Sequence, residues 1–385
     1  MDPEPTTTVP TATDTVQLPP QIDLSYVTSE PTANGTHTPP ESGDNYPVFC
    51  RIAAYLNTRC PTGNFTLTYL TEGGANTIWL IRFSPSSNLY LHDSKLILRV
   101  RKDIPTTIPM ATLRTQFEEH IVPLFQFDPG LLLPVHLIEI NDRIEQTLNA
   151  QLRDLETNGQ RKEMRRGIYH APFDTEPYAM LMPNLAYGDG KVIEFKPKWL
   201  MQSPSAPRDA QRCRTCALNA MRRETKQGSG RGDSGFCPLN LLAQNDQILI
   251  EALRHIWSDE KTLEAFMGKF KQRVQPALSH LQRLQFKDNG VGLEDFRTPE
   301  TRDFSVAMAL RDCSVVLKAT TSQQINEIQI PLVKFIDLDL KDSRGGKVKK
   351  WANIEQDLIT GGWYSSQNHL GVQCAISRTP SNPVS

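Results

Sequence analysis

The sequence has no long hydrophobic run: nowhere in its 385 residues is there a stretch near the roughly 20 apolar residues that a membrane-spanning helix requires. Its first 45 residues also lack lysine, arginine and an apolar core, which argues against a secretory signal peptide or a mitochondrial transit peptide. We therefore expect a soluble, intracellular protein of the nucleus or the cytoplasm that does not insert into a membrane.

Cysteine is scarce and irregularly spaced. Seven cysteines, an odd number, do not resemble a disulfide framework, and reduced thiols are the expected state. Cys213-x-x-Cys216 with Cys237 could hold zinc, but a second pair of ligands is not evident in the sequence. Ordinary buried or surface thiols are the favoured interpretation, and whether these three bind a metal stays open.

Neither sign of charge is in excess, since the formal net charge is −1. The molecule is therefore not built to bind nucleic acid by bulk attraction, and we expect no specific nucleic-acid partner. Between Lys191 and Arg231, however, there are ten lysines and arginines and three acids, a net of +7 (10 − 3). A second basic cluster comprises Lys341, Arg344, Lys347, Lys349 and Lys350. Either cluster alone is typical of a solvated surface.

The composition divides the chain into a tail and two lobes. Residues 1–45 contain eight prolines and ten threonines and are expected to be disordered. The remaining length suffices for two lobes with cores of their own, which we place at 46–184 and 185–376. Residues 377–385 are polar and are expected to form a loose tail.

The first lobe is predicted to be rich in β-structure. Apolar patterning predicts strands at 65–70, 77–83 and 95–101, with a glycine turn between the first two, and then a helix at 112–125. Residues 178–184 form a buried strand that leaves through a Pro-Asn break, where a hinge between lobes would lie. This order is typical of the small lobe of a protein-kinase-like nucleotide site.

The second lobe is predicted to mix helices and strands. Residues 202–235 are rich in Ser, Pro, Gly and Arg, carry little apolar material, and are expected to form a long mobile loop with one short helix at 217–223. The other predicted elements are helices at 245–257, 259–272, 275–286 and 351–359, and strands around 306, around 315 and at 328–340.

Two lysines one residue apart are the most informative local feature. They lie in the strand-like run 192–200, where alternate side chains share a face, so Lys196 and Lys198 are expected to project from the same side. Pro197 between them fixes its own φ and restricts their separation. Two ammonium groups held in this way suit a polyanion that carries several phosphates.

A glycine turn and a set of acids complete the pattern. Gly73-Gly74 lets the backbone approach phosphate oxygens, although such a turn alone is most often a hairpin. Arg99, on the next strand, is either a contact to nucleotide phosphates or an exposed strand residue. Asp337 and Asp339 at a strand end suit magnesium, and Asp312 is either a general base or a turn residue. In this order these are the parts of a phosphotransferase.

Six motifs in sequence order carry a resemblance to a known family. They are Glu72-Gly73-Gly74-Ala75-Asn76, Leu98-Arg99-Val100-Arg101-Lys102, Glu194-Phe195-Lys196-Pro197-Lys198, Arg214-x-Cys216, Arg311-Asp312-Cys313-Ser314 and Asp337-Leu338-Asp339-Leu340-Lys341. The chain resembles a fungal member of the inositol-pentakisphosphate 2-kinases over residues 64–359. The lysine pair and the last motif are specific for this family, whereas the glycine turn and the Asp-Cys-Ser motif indicate it only when they occur together with the other motifs.

The resemblance implies an α+β, two-lobed, protein-kinase-like inositol phosphate kinase fold, with a β-rich N-terminal lobe and a larger α/β C-terminal lobe. It implies transfer of the γ-phosphate of ATP, with Mg²⁺, to the 2-hydroxyl of inositol 1,3,4,5,6-pentakisphosphate, which gives phytate. We expect a monomer whose partners are ATP and the inositol phosphate. The zinc ligands of plant members have no match here.

The resemblance also implies roles for individual residues. Asp312 and Lys196 would be catalytic, and Asp337 and Asp339 would bind magnesium. The residues implied at the nucleotide are Gly73, Gly74, Ala75, Asn76, Arg99 and the hinge residue Asn184. Those implied at the inositol phosphate are Lys196, Lys198, Arg214, Lys341, Arg166, Arg222 and Lys347. Arg222 stands where the family has a lysine, and Lys347 matches the family position only after a two-residue shift.

Two other classes of protein are weighed against this one. A catalytically degenerate kinase-fold module could bind inositol polyphosphates or RNA, but a pure binder needs no magnesium carboxylates. A protein kinase is disfavoured because no His-Arg-Asp or Asp-Phe-Gly occurs where its catalytic site would need them.

Overall fold

The computed structural model describes residues 52, 65–224, 235–287, 302–322, 327–341, 347–365 and 374–378. The predicted disordered tail at 1–45 and most of the predicted loose tail at 377–385 lie outside these residues. Within them the chain forms two antiparallel sheets and eight α-helices, which confirms the α+β class. None of the helices in the described part is both long and apolar enough to cross a membrane.

The first sheet has five strands in the order β1-β2-β3-β5-β4. Their bounds are Phe65–Glu72, Asn76–Phe83, Leu96–Arg101, His136–Glu139 and Tyr178–Pro183 for β1 to β5. Every second residue of β2 is buried, from Thr77 through Trp79 and Ile81 to Phe83, so one face of the sheet covers a core. The predicted strands in this part of the chain are confirmed.

The second sheet has three strands in the order β6-β7-β8, with bounds Lys191–Phe195, Ser314–Ser322 and Glu327–Ile336. Phe195 at the end of β6 pairs with Val315 at the start of β7, and Val315 pairs with Phe335 at the end of β8. The residues that follow β6, precede β7 and follow β8 therefore meet at one edge of the sheet.

Most helices follow the first sheet in the chain, and several of them pack against the second sheet. Their bounds are Met110–Gln116, Asp142–Thr157, Arg214–Glu224, Asp246–Leu253, Leu263–Arg273, Gln275–Lys287, Arg302–Asp312 and Lys347–Thr360 for α1 to α8. Helices α4 to α7 and strands β6 to β8 share the largest apolar core. The predicted helix at 112–125 is helical throughout, although it passes from α-helix to a π-helical turn at Phe117–Ile121.

One predicted element of the second lobe is wrong, and another is only partly right. Val306 lies in α7 and not in a strand. The sequence misled here because the segment from Phe304 to Leu310 is buried almost all round, so its apolar residues show no helical periodicity. The predicted short helix at 217–223 is confirmed as α3, but the segment is better packed than expected, since Cys213, Cys216 and Ala217 are buried. Residues 225–234 of the predicted loop lie outside the described residues.

Gly190, at the entry to β6, provides a test of the register that builds the sheet edge. Its φ is +107°, and an added Cβ would lie 2.7 Å from the carbonyl oxygen of Ala319. Gly190→Ala should lower the free energy of unfolding by about 2 kcal/mol or more, measured by urea denaturation. The matched control is Gly268→Ala within α5, where nothing lies within 4 Å of the added Cβ and helix propensity should add about 0.5–1 kcal/mol. Equal stabilities for the two variants would contradict the described entry to β6.

Candidate functional site

Three lysines and two carboxylates lie together at the shared edge of the second sheet. Lys196 follows β6, Asp312 is the last residue of α7 before β7, and Asp337 follows β8. From the loops beyond β6 and β8, Lys198 approaches Asp312 and Lys341 approaches both carboxylates. The antiparallel register thus gathers residues that are more than a hundred positions apart in sequence.

Lys196 bridges the two carboxylates. Its Nζ donates to the backbone oxygen of Asp312 at 2.6 Å and to Oδ2 of Asp337 at 3.0 Å, and it lies 3.4 Å from Oδ1 of Asp312. Lys198 donates to Oδ1 of Asp312 at 3.1 Å. Lys341 lies farther out, at 3.6 Å from Oδ1 of Asp337 and 3.9 Å from Oδ2 of Asp312.

The lysines set the charge state of Asp312. Burial alone raises the pKa of this carboxyl, but the ammonium groups of Lys198, Lys196 and Lys341 outweigh burial and hold the pKa below its usual value. Asp312 is therefore ionised at neutral pH. The same acids hold the pKa of Lys196 above its usual value against the opposing effect of burial, so this ammonium stays charged.

The lysine pair is held by a strained turn rather than by a strand. Strand β6 ends at Phe195, so the predicted strand-like run 192–200 is wrong beyond that residue. Lys198 has a φ of +56° and Asp337 a φ of +59°, in the left-handed region that non-glycine residues seldom adopt. Both lysines nevertheless reach Asp312. Backbone strain at two members of one charged cluster is typical of a functional site.

A buried glutamine fixes this turn to the end of α7. The side chain of Gln285 is fully buried in α6; its Nε2 donates to the backbone oxygens of Lys198 and Leu310, both at 3.0 Å, and its Oε1 accepts from the amide of Leu200 at 2.8 Å. One side chain thus sets the distance between the segment that carries Lys198 and the helix that ends at Asp312.

A cleft of about 720 Å³ opens beside the charged cluster. Its walls come from the turn between β1 and β2, from β3, from the segment after β5 and from the edge of the second sheet. The predicted site residues among its lining are Gly73, Gly74, Ala75, Asn76, Arg99, Asn184, Lys196, Asp337, Asp339 and Lys341. Its volume suits a ligand of nucleotide size, because small-molecule sites occupy about 300–1,000 Å³.

Buried charges fix the glycine turn in place. The amide of Gly73 donates to the backbone oxygen of Asn76 at 2.8 Å, and Nζ of Lys102 donates to the oxygen of Gly73 at 2.9 Å. Lys102 is fully buried and pairs with Glu72, which also accepts two bonds from Arg161, at 2.9 and 3.0 Å. Sequence reasoning gave no role to Lys102, although it quoted that residue in a motif, and it missed Arg161, because the pairing with Glu72 depends on tertiary contacts.

Arg99 is tied to both sides of the cleft. Its guanidinium forms a bidentate ion pair with Asp339, in which Nη1 lies 3.2 Å from Oδ1. The side-chain oxygen of Asn76, in the amide orientation that satisfies its neighbours, accepts from Nη2 and Nε of Arg99 at 2.8 and 3.1 Å. Burial raises the pKa of Asp339, but Arg99 outweighs burial and holds that pKa below its usual value.

Asn184 braces the segment after β5. Its Nδ2 donates to the oxygen of Ser94 at 2.8 Å, and its Oδ1 accepts from the amide of Ala186 at 3.1 Å. These bonds tie the predicted hinge to the loop before β3.

Four predicted substrate contacts are not part of the charged cluster as described. Arg214 is buried, and its Nε donates to Oε2 of Glu355 at 2.7 Å. Arg222 lies in the last turn of α3, and Arg166 is exposed in the segment between α2 and β5, where its Nε donates to the oxygen of Arg161. Lys347 begins α8, and its side chain lies outside the described atoms. Their roles at a substrate stay predictions.

Taken together, the turn, the cleft and the charged edge define a site for an anionic ligand of nucleotide size beside paired carboxylates. Comparison with known proteins gives the family. The family model described as inositol-pentakisphosphate 2-kinase matches residues 69–291 and 291–357, well over half of the chain. A protein named inositol-pentakisphosphate 2-kinase from Yarrowia lipolytica (strain CLIB 122 / E 150) is 26% identical over 322 residues, covering 82% of this chain and 97% of its own length.

The chain therefore belongs to the inositol-pentakisphosphate 2-kinase family, and it is an enzyme of the phosphotransferase class. The family drawn from six short motifs is confirmed. The family match ends at residue 357, inside α8, so the segment at 374–378 lies beyond it.

Gln285 provides a test of how the charged cluster is assembled. Gln285→Leu removes three hydrogen bonds and leaves buried partners unsatisfied, so it should lower the free energy of unfolding by about 2–4 kcal/mol. Gln282→Leu, one turn earlier on α6, removes a single bond to the oxygen of Leu200 and should cost about 1 kcal/mol. Chemical denaturation of both variants measures the difference. Similar losses would show that Gln285 is not the residue that joins the two segments.

Proposed function

We propose that this enzyme transfers the γ-phosphate of ATP to the 2-hydroxyl of inositol 1,3,4,5,6-pentakisphosphate and releases ADP and inositol hexakisphosphate, phytate. The observation that carries the proposal is the charged edge, where Lys196, Lys198 and Lys341 surround Asp312 and Asp337 beside a nucleotide-sized cleft. The name of the Yarrowia relative and the family model support the choice of acceptor.

The two sheets support a protein-kinase-like, two-lobed arrangement. The five-stranded sheet with its glycine turn would form the nucleotide-binding lobe, at 46–184, and the second sheet with α3 to α8 would form the catalytic lobe, at 185–376. Asn184 lies where the chain passes from one to the other. The adenine would occupy the apolar part of the cleft, near Ile97, Met182 and Val316, with its phosphates toward the glycine turn.

Asp312 is proposed as the general base. An ionised carboxylate at a helix end, held by ammonium groups, can accept the proton of a hydroxyl as that oxygen attacks phosphorus. Lys196 contacts both carboxylates, so it is placed to stabilise the negative charge that develops on the transferred group.

The donor set after β8 fits magnesium. Asp337 presents a half-exposed carboxylate, and Asp339 lies two residues on, where Arg99 now neutralises it. Magnesium prefers oxygen ligands and, when bound, supplies charge neutralisation between nucleotide phosphates. Asp337 and Asp339 would hold the ion, while Arg99 and the turn amides would orient the phosphate chain.

Lys198 and Lys341 are proposed to bind phosphates of the inositol ring. Three ammonium groups within reach of two carboxylates leave one positive charge in excess, and an acceptor with five phosphates would supply the missing anions. The comparisons give no support to the alternative of a non-catalytic binding module.

The assay that tests the function uses purified protein, ATP, Mg²⁺ and inositol pentakisphosphate, with separation of the products by anion exchange. Wild-type enzyme should form inositol hexakisphosphate. Asp312→Asn should lower kcat by about 10² or more with little change in KM, because a positioned base is lost. The control is Asp174→Asn, which neutralises an exposed carboxylate outside the cleft. Wild-type turnover by Asp312→Asn would remove Asp312 as the base.

Lys198→Ala tests the acceptor site. Loss of a charge-assisted bond to phosphate should raise KM for the inositol phosphate by about 10- to 150-fold, equivalent to about 1.5–3 kcal/mol, with a smaller effect on ATP. Lys261→Ala removes an exposed lysine elsewhere and should change neither constant. Calorimetric titration of each ligand separates the two affinities. Equal losses for ATP and the inositol phosphate would indicate a folding defect and contradict a specific contact.

A further inference from the structure

A buried cluster of four cysteines lies outside the proposed active site. Cys213 immediately precedes α3, Cys216 lies in its first turn, and Cys237 precedes a short 3₁₀-helix at Pro238–Leu242. The fourth, Cys374, comes from the segment at 374–378, which lies 137 residues farther along the chain than Cys237. Their sulfur atoms all lie within 4.8 Å of one another, and none of the four residues is more than 8% exposed.

The spacing of the sulfur atoms distinguishes a metal site from disulfides. The Sγ atoms of Cys213 and Cys237 are 3.8 Å apart, and those of Cys237 and Cys374 are 3.6 Å apart. A disulfide would require about 2.05 Å, and all four cysteines are free thiols. Four sulfurs bound to one zinc at about 2.3 Å form a tetrahedron whose edges are about 3.8 Å long. The two distances of 3.8 and 3.6 Å match such an edge, and all four sulfurs lie within 4.8 Å of one another.

The surroundings of the cluster also suit thiolate ligands. The backbone amide of Cys213 donates to Sγ of Cys374 at 3.2 Å, a bond that favours negative charge on that sulfur. Apolar side chains of Leu239, Ala375 and Ile376 pack against the cluster. Cys213-x-x-Cys216 has the short spacing that zinc sites use for one ligand pair, and Cys237 with Cys374 supplies the second pair.

We propose that Cys213, Cys216, Cys237 and Cys374 bind one zinc ion in a closed, structural site. Four protein sulfurs complete a tetrahedral shell, so no position is open to a substrate or a water molecule, and the ion takes no part in phosphoryl transfer. The fourth ligand, Cys374, lies beyond the residues that the family model matches.

The site would join the end of the chain to the start of α3. Arg212, beside the first ligand, donates to the backbone oxygens of Trp363 and Ser365 at 3.3 and 3.2 Å. Arg214, on its other side, donates to Glu355 in α8. The ion would add a fixed crosslink between Cys213 and Cys374, which are 161 residues apart. Zinc loss should therefore loosen the segment at 374–378 and the first turn of α3 together.

Metal analysis of the full chain tests the proposal. Protein purified without a histidine tag from zinc-supplemented cells, then dialysed against a mild chelator, should contain about one zinc per chain by inductively coupled plasma mass spectrometry. A thiol-blocking mercurial should release that zinc, which a chromogenic indicator detects. The amount of zinc released should rise in proportion to the number of thiols that have reacted. Stoichiometric iron, four thiols without metal, or disulfides found by mass spectrometry would each overturn the assignment.

A pair of variants locates the site. Cys374→Ser should reduce bound zinc from about one per chain to a small fraction and lower the melting temperature, whereas Cys313→Ala, at a buried cysteine outside the cluster, should keep the full zinc content. If Cys374→Ser does not fold, the mercurial titration of wild-type protein still decides, because it requires no variant. Retention of a full zinc equivalent by folded Cys374→Ser would exclude Cys374 as a ligand.

Discussion

The register of the three-stranded sheet is the constraint on which the candidate active site depends. Because β6, β7 and β8 are antiparallel, the end of the first, the start of the second and the end of the third lie side by side. Lys196 bridges these three positions with its contacts to Asp312 and Asp337. A slip of one residue would turn every side chain of the shifted strand to the other face and would separate the bridge from its acids.

Charge balance explains why such a cluster is compatible with folding. Three ammonium groups at this distance would repel one another if no anions were present, and Asp312 and Asp337 offset that repulsion. The balance is incomplete, which favours a further anion at the same place. The strained backbone of Lys198 and Asp337 is then tolerated because Gln285 and the ion pairs hold both residues.

The sequence predicted the charged residues of this site better than it predicted the backbone and side chains that hold them in place. Lysines one residue apart and acids at a strand end are local patterns, and the structure brings them together. The argument for the lysine pair rested on a strand that ends at Phe195, and what actually holds Lys198 is a turn bonded to Gln285. That bond joins residues 87 positions apart, and no spacing rule encodes it. The sequence indicated three members of the cysteine cluster but not the fourth, because Cys374 follows Cys237 by 137 residues.

One tryptophan connects the two centres. Trp199 directly follows Lys198, and the guanidinium groups of Arg311 and Arg214 lie 4.0 and 4.5 Å from the centre of its ring. Arg311 precedes Asp312, and Arg214 follows Cys213. Each such contact is worth about 2 kcal/mol when it is shielded from water, and all three side chains are largely buried. These cation–π contacts join the start of α3 to the end of α7, so the proposed zinc site would support the charged edge of the second sheet without touching the substrate.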